Sequence, residues 1–445
     1  MPESEIITFR YPNGEYQRVQ KVTFDSWSQL EYLLPSRSER AFDSLCSLYK
    51  RYIIPKCPWL FGRLILFRIP DDVTVPFPFE TERYGSVADK LTAAAIALRS
   101  GVVVAGNKPV FLSGAVREFW RCLEVRNCVK ILCGYLPHTT VLPVNDLCGF
   151  LTENENSAAF RSSASFFTME RFDCASAYDS IGTPIGLHVK DGFIFSPPMY
   201  LREALLVGKD GKASIAVPRL SDLTMEINGS SVTPDETNTF FRPSCRITPK
   251  HGERDLVIIG SKIAAVHEGG NTFVPSSGFV LRDCGTHAMP GDTVTYHGLE
   301  DVLFGIQAGN SAVVNGKKTG HFISPFYNIK RLWSTSYPPS LYPLNYNRDR
   351  APRMVLGTDS GGTPVILWAE GAGKLKYFPG KESCGASLSE MEDICQKLGL
   401  VNAVNLDGGG SAQIILNGSR SLRISDRNPD NTEAERAIPV ALMIR

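Results

Sequence analysis

Ser387-Leu388-Ser389-Glu390-Met391-Glu392-Asp393-Ile394-Cys395-Gln396-Lys397-Leu398-Gly399, followed by Leu400-Val401-Asn402-Ala403-Val404-Asn405-Leu406-Asp407-Gly408-Gly409-Gly410-Ser411, decides how this chain is read. Ser387 with Glu390 three residues on is a capping box: the hydroxyl and the carboxylate satisfy amides that a helix start leaves without partners. Apolar Met391, Ile394, Cys395 and Leu398 recur at helical spacing and Gly399 stops the run, so a helix is predicted. Residues 403–406 then read as a short strand that delivers Asp407 to its end, and a second strand runs to Leu416.

Three consecutive glycines between two such elements imply unusual dihedrals or the close approach of a ligand, because each glycine costs backbone entropy on ordering. The N–H groups of Gly409, Gly410 and Ser411 are placed to converge as an anion nest, with Gly408 opening the turn and the Ser411 hydroxyl as a further donor. A tight corner with Asp407 bonded to its own turn is the plainer reading, and the whole cluster argues against it. No Lys-Ser or Lys-Thr ends the run and a strand follows it, which excludes a Walker loop and a dinucleotide fingerprint.

Upstream, Arg350-Ala351-Pro352-Arg353 leads into a strand at 354–357, a turn at Asp359-Ser360-Gly361-Gly362, a strand at 365–368 and then Glu370-Gly371. Arg353 at a strand entrance suits bidentate bonding to phosphate. Glu370 and Asp407 both fall at predicted strand ends, so neighbouring strands can bring the two carboxylates to one rim.

Further out, Asp191-Gly192 and Asp210-Gly211 punctuate two predicted hairpins, Val314-Asn315-Gly316-Lys317 another turn, and 440–444 a buried strand that ties the chain end into the main sheet. Residues 330–349 read as a long surface loop. In the first 150 residues, helices are expected from Ser38 through Tyr49, over 86–99 and over 115–125, with a strand at Val102-Val103-Val104. The expectation is an α+β, mixed α/β chain. Residues 1–150 form an α/β region without a chemical motif, and 151–445 a β-rich catalytic domain with a mixed sheet and flanking helices.

Lys plus Arg (47) nearly balances Asp plus Glu (46), which argues against a nucleic-acid-binding surface. The 11 cysteines contain no Cys-x-x-Cys pair and the 7 histidines no metal-ligand spacing. The N-terminus is acidic where a secretory signal is basic, and no uninterrupted apolar run is long enough to span a bilayer, so the chain reads as soluble and cytoplasmic.

At Asn405 through Ser411 the chain resembles the phosphodiester glycosidase family. Supporting segments follow in the family's order: Pro184-Ile185-Gly186, Asp191-Gly192, Val274-Pro275, Arg350 to Arg353 with Gly357, Glu370-Gly371, Gly385 to Glu390, and Glu435-Arg436. One departure stands out: Ser163-Ala164-Ser165-Phe166-Phe167 occupies the place where the family has Asn-Gly before two aromatics.

The resemblance implies a hydrolase that cleaves the glycosidic C–O bond of a sugar-1-phosphodiester or related phosphate-linked sugar. Asp407 then serves the oxocarbenium-like transition state as nucleophile or stabiliser, and Glu370 the water. Arg353, Asp359, Asn405, Gly408, Gly409, Gly410, Ser411 and Arg436 hold substrate. No cofactor is expected. Two other readings remain: a phosphodiesterase using Asp407, Asp359 and Glu370 as ligands for a divalent cation, and a non-catalytic sugar-phosphate-binding module.

Overall fold

The computed structural model describes residues 2–33, 159–168, 178–179, 182–242, 245–283, 285–320, 350–372, 378–427, 432–436 and 438–444, with short strands at 37–38, 73–74, 102–105, 108–111 and 144–145. Of the helix expected over 38–49 only Ser38 is described, in a short strand with Arg37, and the helices expected over 86–99 and 115–125 and the loop at 330–349 lie outside these residues.

The sheet that carries the site contains β1 (Glu3–Arg10), β2 (Tyr16–Thr23), β3 (Ser311–Val314), β4 (Lys317–Lys318), β5 (Arg353–Asp359), β6 (Pro364–Ala369) and β7 (Leu400–Asn405), in the order β1-β2-β6-β5-β7-β3-β4. Every ladder in it is antiparallel. Asn315 and Gly316 turn the β3–β4 hairpin with φ of 50° and 75°, the left-handed conformation that the Asn-Gly pair favours.

Helix α1 (Leu388–Lys397) is the one α-helix among the described residues, and its capping box forms as the sequence predicts: Ser387 Oγ accepts from the Glu390 N–H at 3.1 Å and the Glu390 carboxylate from the Ser387 N–H at 2.8 Å. The expectation of a mixed α/β fold with a mixed sheet is therefore corrected: the described chain is β-rich and its ladders antiparallel. Antiparallel strands join through hairpins and need no crossover helices, so the one strong helical signal did not generalise.

The alternation of side chains along β5, β6 and β7 sorts the core into two layers. On one face Met354, Leu356, Ile366, Trp368, Val404 and Leu406 pack against Leu205, Val207, Phe304 and Ile306 of a second sheet and Phe160, Ile414 and Leu442 of a third. On the other, Val355, Leu367, Ala369 and Ala403 pack against Met391, Ile394 and Cys395 of α1. Each fully buried large apolar side chain contributes roughly 1.5–3 kcal/mol, so the rim of this sheet is a rigid platform.

The two predicted hairpins are present as His188–Lys190 with Phe193–Ser196 and Ala204–Gly208 with Ala213–Ala216. The terminal strand Ala441–Ile444 forms, but it pairs with Phe160–Ser163 and Glu31–Leu33 in the third sheet and not in the main one. No helix among the described residues is long and apolar enough to cross a membrane.

Candidate functional site

Antiparallel pairing places the start of β5 beside the ends of β6 and β7, so three strand termini meet on one rim. Val355 pairs with Asn405 and Arg353 with Ala369. The Leu406 N–H donates to the Met354 carbonyl at 2.8 Å and the Gly409 N–H to the Pro352 carbonyl at 2.9 Å, which carries the register past the strand and sets Asp407 across from Arg353. The Asp407 N–H donates to the Ala164 carbonyl at 3.1 Å, tying it to the third sheet as well.

Arg353 is buried and its Nε donates to the Ala386 carbonyl at 3.0 Å, so the residue before the α1 cap orients the guanidinium. Asn405 is also buried; its backbone bonds to Asn310 (3.0 Å) and Gly309 (2.6 Å), yet its Oδ1 accepts no hydrogen bond among the described residues. A buried polar atom without a partner costs about 1–3 kcal/mol, which a ligand hydroxyl or amide recovers on binding.

The glycine run is a 3-10 turn over Gly409–Ser411. A Cβ at Gly408 would stand 2.8 Å from the Pro352 carbonyl oxygen and 3.8 Å from Arg353 Cδ, and one at Gly410 would overlap the Asp426 carboxylate and the Arg436 guanidinium. Gly409 has φ +60° and, among the described residues, nothing within 4 Å of a Cβ position. The anticipated nest of three N–H groups is changed by the turn itself: the Gly409 N–H is spent on Pro352 and the Ser411 N–H on Gly408 O at 3.1 Å. Gly408 and Gly410 keep N–H groups with no backbone acceptor among the described residues.

Ser411 and Arg436 lie behind the run. Arg436 pairs with Asp426 at 2.9 Å and donates to Ser411 Oγ at 3.3 Å, an arrangement that braces the turn from below. Glu370 ends β6 on the same rim, buried, with its carboxylate taken up by Arg18: Nε to Oε2 at 2.6 Å and Nη2 to Oε1 at 2.5 Å. The Arg423 N–H donates to the same Oε1 at 2.9 Å. Asp359 ends β5 at the opposite rim, roughly 20 Å away at about 3.4 Å per residue. There its Oδ1 closes the turn to β6, accepting from the Gly361 and Thr363 N–H groups at 2.8 and 2.9 Å.

The structure thus brings Arg353, Asn405, Asp407, Glu370 and the glycines to one rim and leaves Asp359 off it. Asp407, Asp359 and Glu370 do not converge as cation ligands, and among the described residues no group of three or more His, Cys, Asp or Glu does.

Sequence reasoning missed Arg18, which is 352 positions from Glu370, and Asp426 behind Gly410. It also missed His188, fully buried, whose Nδ1 lies 3.0 Å from the Gly186 carbonyl and Nε2 2.8 Å from Ser165 Oγ. Burial lowers the His188 pKa to about 4, with the Gly186 bond opposing it, so the ring is neutral near pH 7.

An antiparallel β platform whose rim gathers an arginine, an aspartate and a braced glycine turn is the setting in which the comparisons fall. Residues 221–445, half of the chain, match the phosphodiester glycosidase family, and the chain belongs to that family. Curated relatives include the N-acetylglucosamine-1-phosphodiester alpha-N-acetylglucosaminidases of Homo sapiens and Mus musculus, 39% and 37% identical over 79 residues. Those matches cover 18% of this chain and 14% of each relative, so the chain aligns with about a seventh of their length.

Among solved structures, a hypothetical protein from Synechocystis aligns at 16% identity and a TM-score of 0.41, over 100% of this chain and 62% of that one. The catalytic domain of the zebrafish enzyme aligns at 12% and 0.39, over 100% and 83%.

Proposed function

We propose that this chain hydrolyses the glycosidic C–O bond of a sugar-1-phosphodiester or related phosphate-linked sugar. The observation that carries the reading is the rim at the start of β5 and the end of β7, where Asp407 lies across from Arg353 next to an Asn405 Oδ1 with no partner among the described residues.

Departure of the phosphate leaves positive charge on the anomeric carbon, which the Asp407 carboxylate stabilises or captures. The phosphate is a weakly basic leaving group, so cationic and N–H donors serve in place of a strong general acid. Arg353 and the Gly408 and Gly410 N–H groups supply them. Asn405 Oδ1 accepts a sugar hydroxyl or amide proton.

Glu370 takes a different part from the water-activating base first expected. Its oxygens already accept from Arg18 and Arg423, so it positions the Arg423 segment and the N-terminal hairpin at the rim. Ser411 and Arg436 hold the shape of the turn.

Turnover of a panel of sugar-1-phosphodiesters and nucleotide sugars in heavy-oxygen water, read by mass spectrometry, tests the reading. Label in the sugar is expected. Label in the phosphate assigns P–O cleavage, and binding without turnover makes the chain a sugar-phosphate-binding module; either result overturns it.

A further inference from the structure

We propose that Ser165 and His188 form a positioning pair that holds the Ala164 carbonyl on the Asp407 N–H and so sets the place of that carboxylate on the rim. The proposal rests on the hydrolase reading of Asp407 given above.

The Gly186 carbonyl only accepts, so the 3.0 Å contact makes His188 Nδ1 the protonated nitrogen. Nε2 is then an acceptor, and the Ser165 hydroxyl at 2.8 Å donates to it. This bond links the 163–167 segment to the strand that begins at His188. Around it, the Ile185 N–H donates to Phe166 O at 2.9 Å, Phe167 bridges Pro184, and the Asp407 N–H reaches Ala164 O at 3.1 Å. A shift of Ser165 therefore moves the carbonyl beside it, which is the one that holds Asp407.

Ser165 and His188 are both buried and bonded to each other, and the pair acts through the backbone. The charged and titratable groups on the elements around the ring are engaged elsewhere. Lys190, on the same strand, donates to Ser28 O at 2.9 Å and pairs with Glu31 at 3.9 Å. Tyr32 lies edge-on to the imidazole at 5.2 Å with its hydroxyl on Gly305 O, and Arg202 stands over the Phe166 ring at 5.5 Å. Protonation of Nε2 reverses the bond: the imidazolium donates to Ser165 Oγ, whose own proton turns to the Phe166 carbonyl 3.2 Å away.

Two readouts test the pair, one of them independent of turnover. The Asp407 amide resonance of selectively labelled full-length protein is followed by NMR from pH 7 to 4 in wild type, Ser165→Ala and His188→Gln. The glutamine offers Ser165 an acceptor that does not titrate. The expected result is a shifted Asp407 amide in Ser165→Ala at pH 7, and in wild type a titration with midpoint near 4 that His188→Gln lacks.

On a turned-over substrate, Ser165→Ala should lower kcat about tenfold with KM unchanged, as one hydrogen bond is lost, while His188→Gln keeps kcat within about threefold of wild type at pH 7. An Asp407 amide unmoved by Ser165→Ala overturns the proposal whatever the activity. A moved amide with no turnover on any substrate retires the hydrolase reading and leaves the pair's hold on Asp407 established.

Discussion

Gly409→Ala and Gly410→Ala separate what the glycine run does for the fold from what it does for a ligand. At Gly409 an alanine must hold φ +60°, but its methyl meets nothing within 4 Å among the described residues. The cost is the left-handed backbone alone, about 1 kcal/mol. At Gly410 the methyl overlaps the Asp426 carboxylate and the Arg436 guanidinium. Overpacking costs about 1–3 kcal/mol and the displaced charge-assisted bonds add to it, so a loss of about 3 kcal/mol is expected. Urea unfolding of both variants reads the difference. The less damaging change then tests function, because the Gly409 methyl projects over the turn where the phosphate is proposed to sit. Inorganic phosphate, measured as a competitive inhibitor, should bind about tenfold more weakly to Gly409→Ala, a loss of about 1.4 kcal/mol. Wild-type phosphate affinity in this variant would refute the placement of the anion, and equal stability of the two variants would refute the tight packing of Asp426 and Arg436 under the turn.

Glu370→Gln should destabilise the protein by about 1–3 kcal/mol, below the usual loss for a broken buried pair because Arg18 keeps a side-chain exposure of 33%. A double-mutant cycle with Arg18→Met measures it, and full additivity would show that the pair is not coupled. The buried, neutral His188 makes stability depend on pH. Its folded pKa of about 4 lies below the ordinary 6.5, so the unfolded chain takes the proton first as pH falls. Stability present above pH 6.5 is then lost on the way down to about 4, by about 3 kcal/mol. His188→Gln should show that much less acid sensitivity in urea titrations, and parallel pH curves would contradict the buried neutral ring. Asp359→Ala should open the turn after β5 yet change kcat/KM less than about twofold; a hundredfold loss would return Asp359 to the site.

The local parts of this fold were legible because their causes are local. Ser387 and Glu390 are three residues apart and specify a helix start by themselves, and the Asp-Gly and Asn-Gly turns specify hairpins in the same way. Strand direction is a property of pairs distant in sequence and left no such mark. Once β5 and β6 are antiparallel, Asp359 and Glu370, both at strand ends, fall on opposite rims. The bond from Glu370 to Arg18 crosses 352 positions and joins two residue types that are common on any surface. The glycine run announced that something unusual happens there. Which of its N–H groups are spent internally depended on Pro352, a neighbour across the sheet.

The hairpin of β1 and β2 lies outside the matched residues 221–445, yet β2 pairs with β6 along Val19 to Thr23. A fragment beginning at residue 221 would bare the backbone donors and acceptors of β6 along that whole ladder, with Leu367 and Ala369 beside them. Such an edge recruits other chains. β1 guards the intact sheet by ending it in a strand whose residues Glu3, Ser4 and Glu5 are exposed. The half of this chain that matches the family is therefore not a unit that can be cut out by homology, and expression of 221–445 alone is expected to yield aggregate.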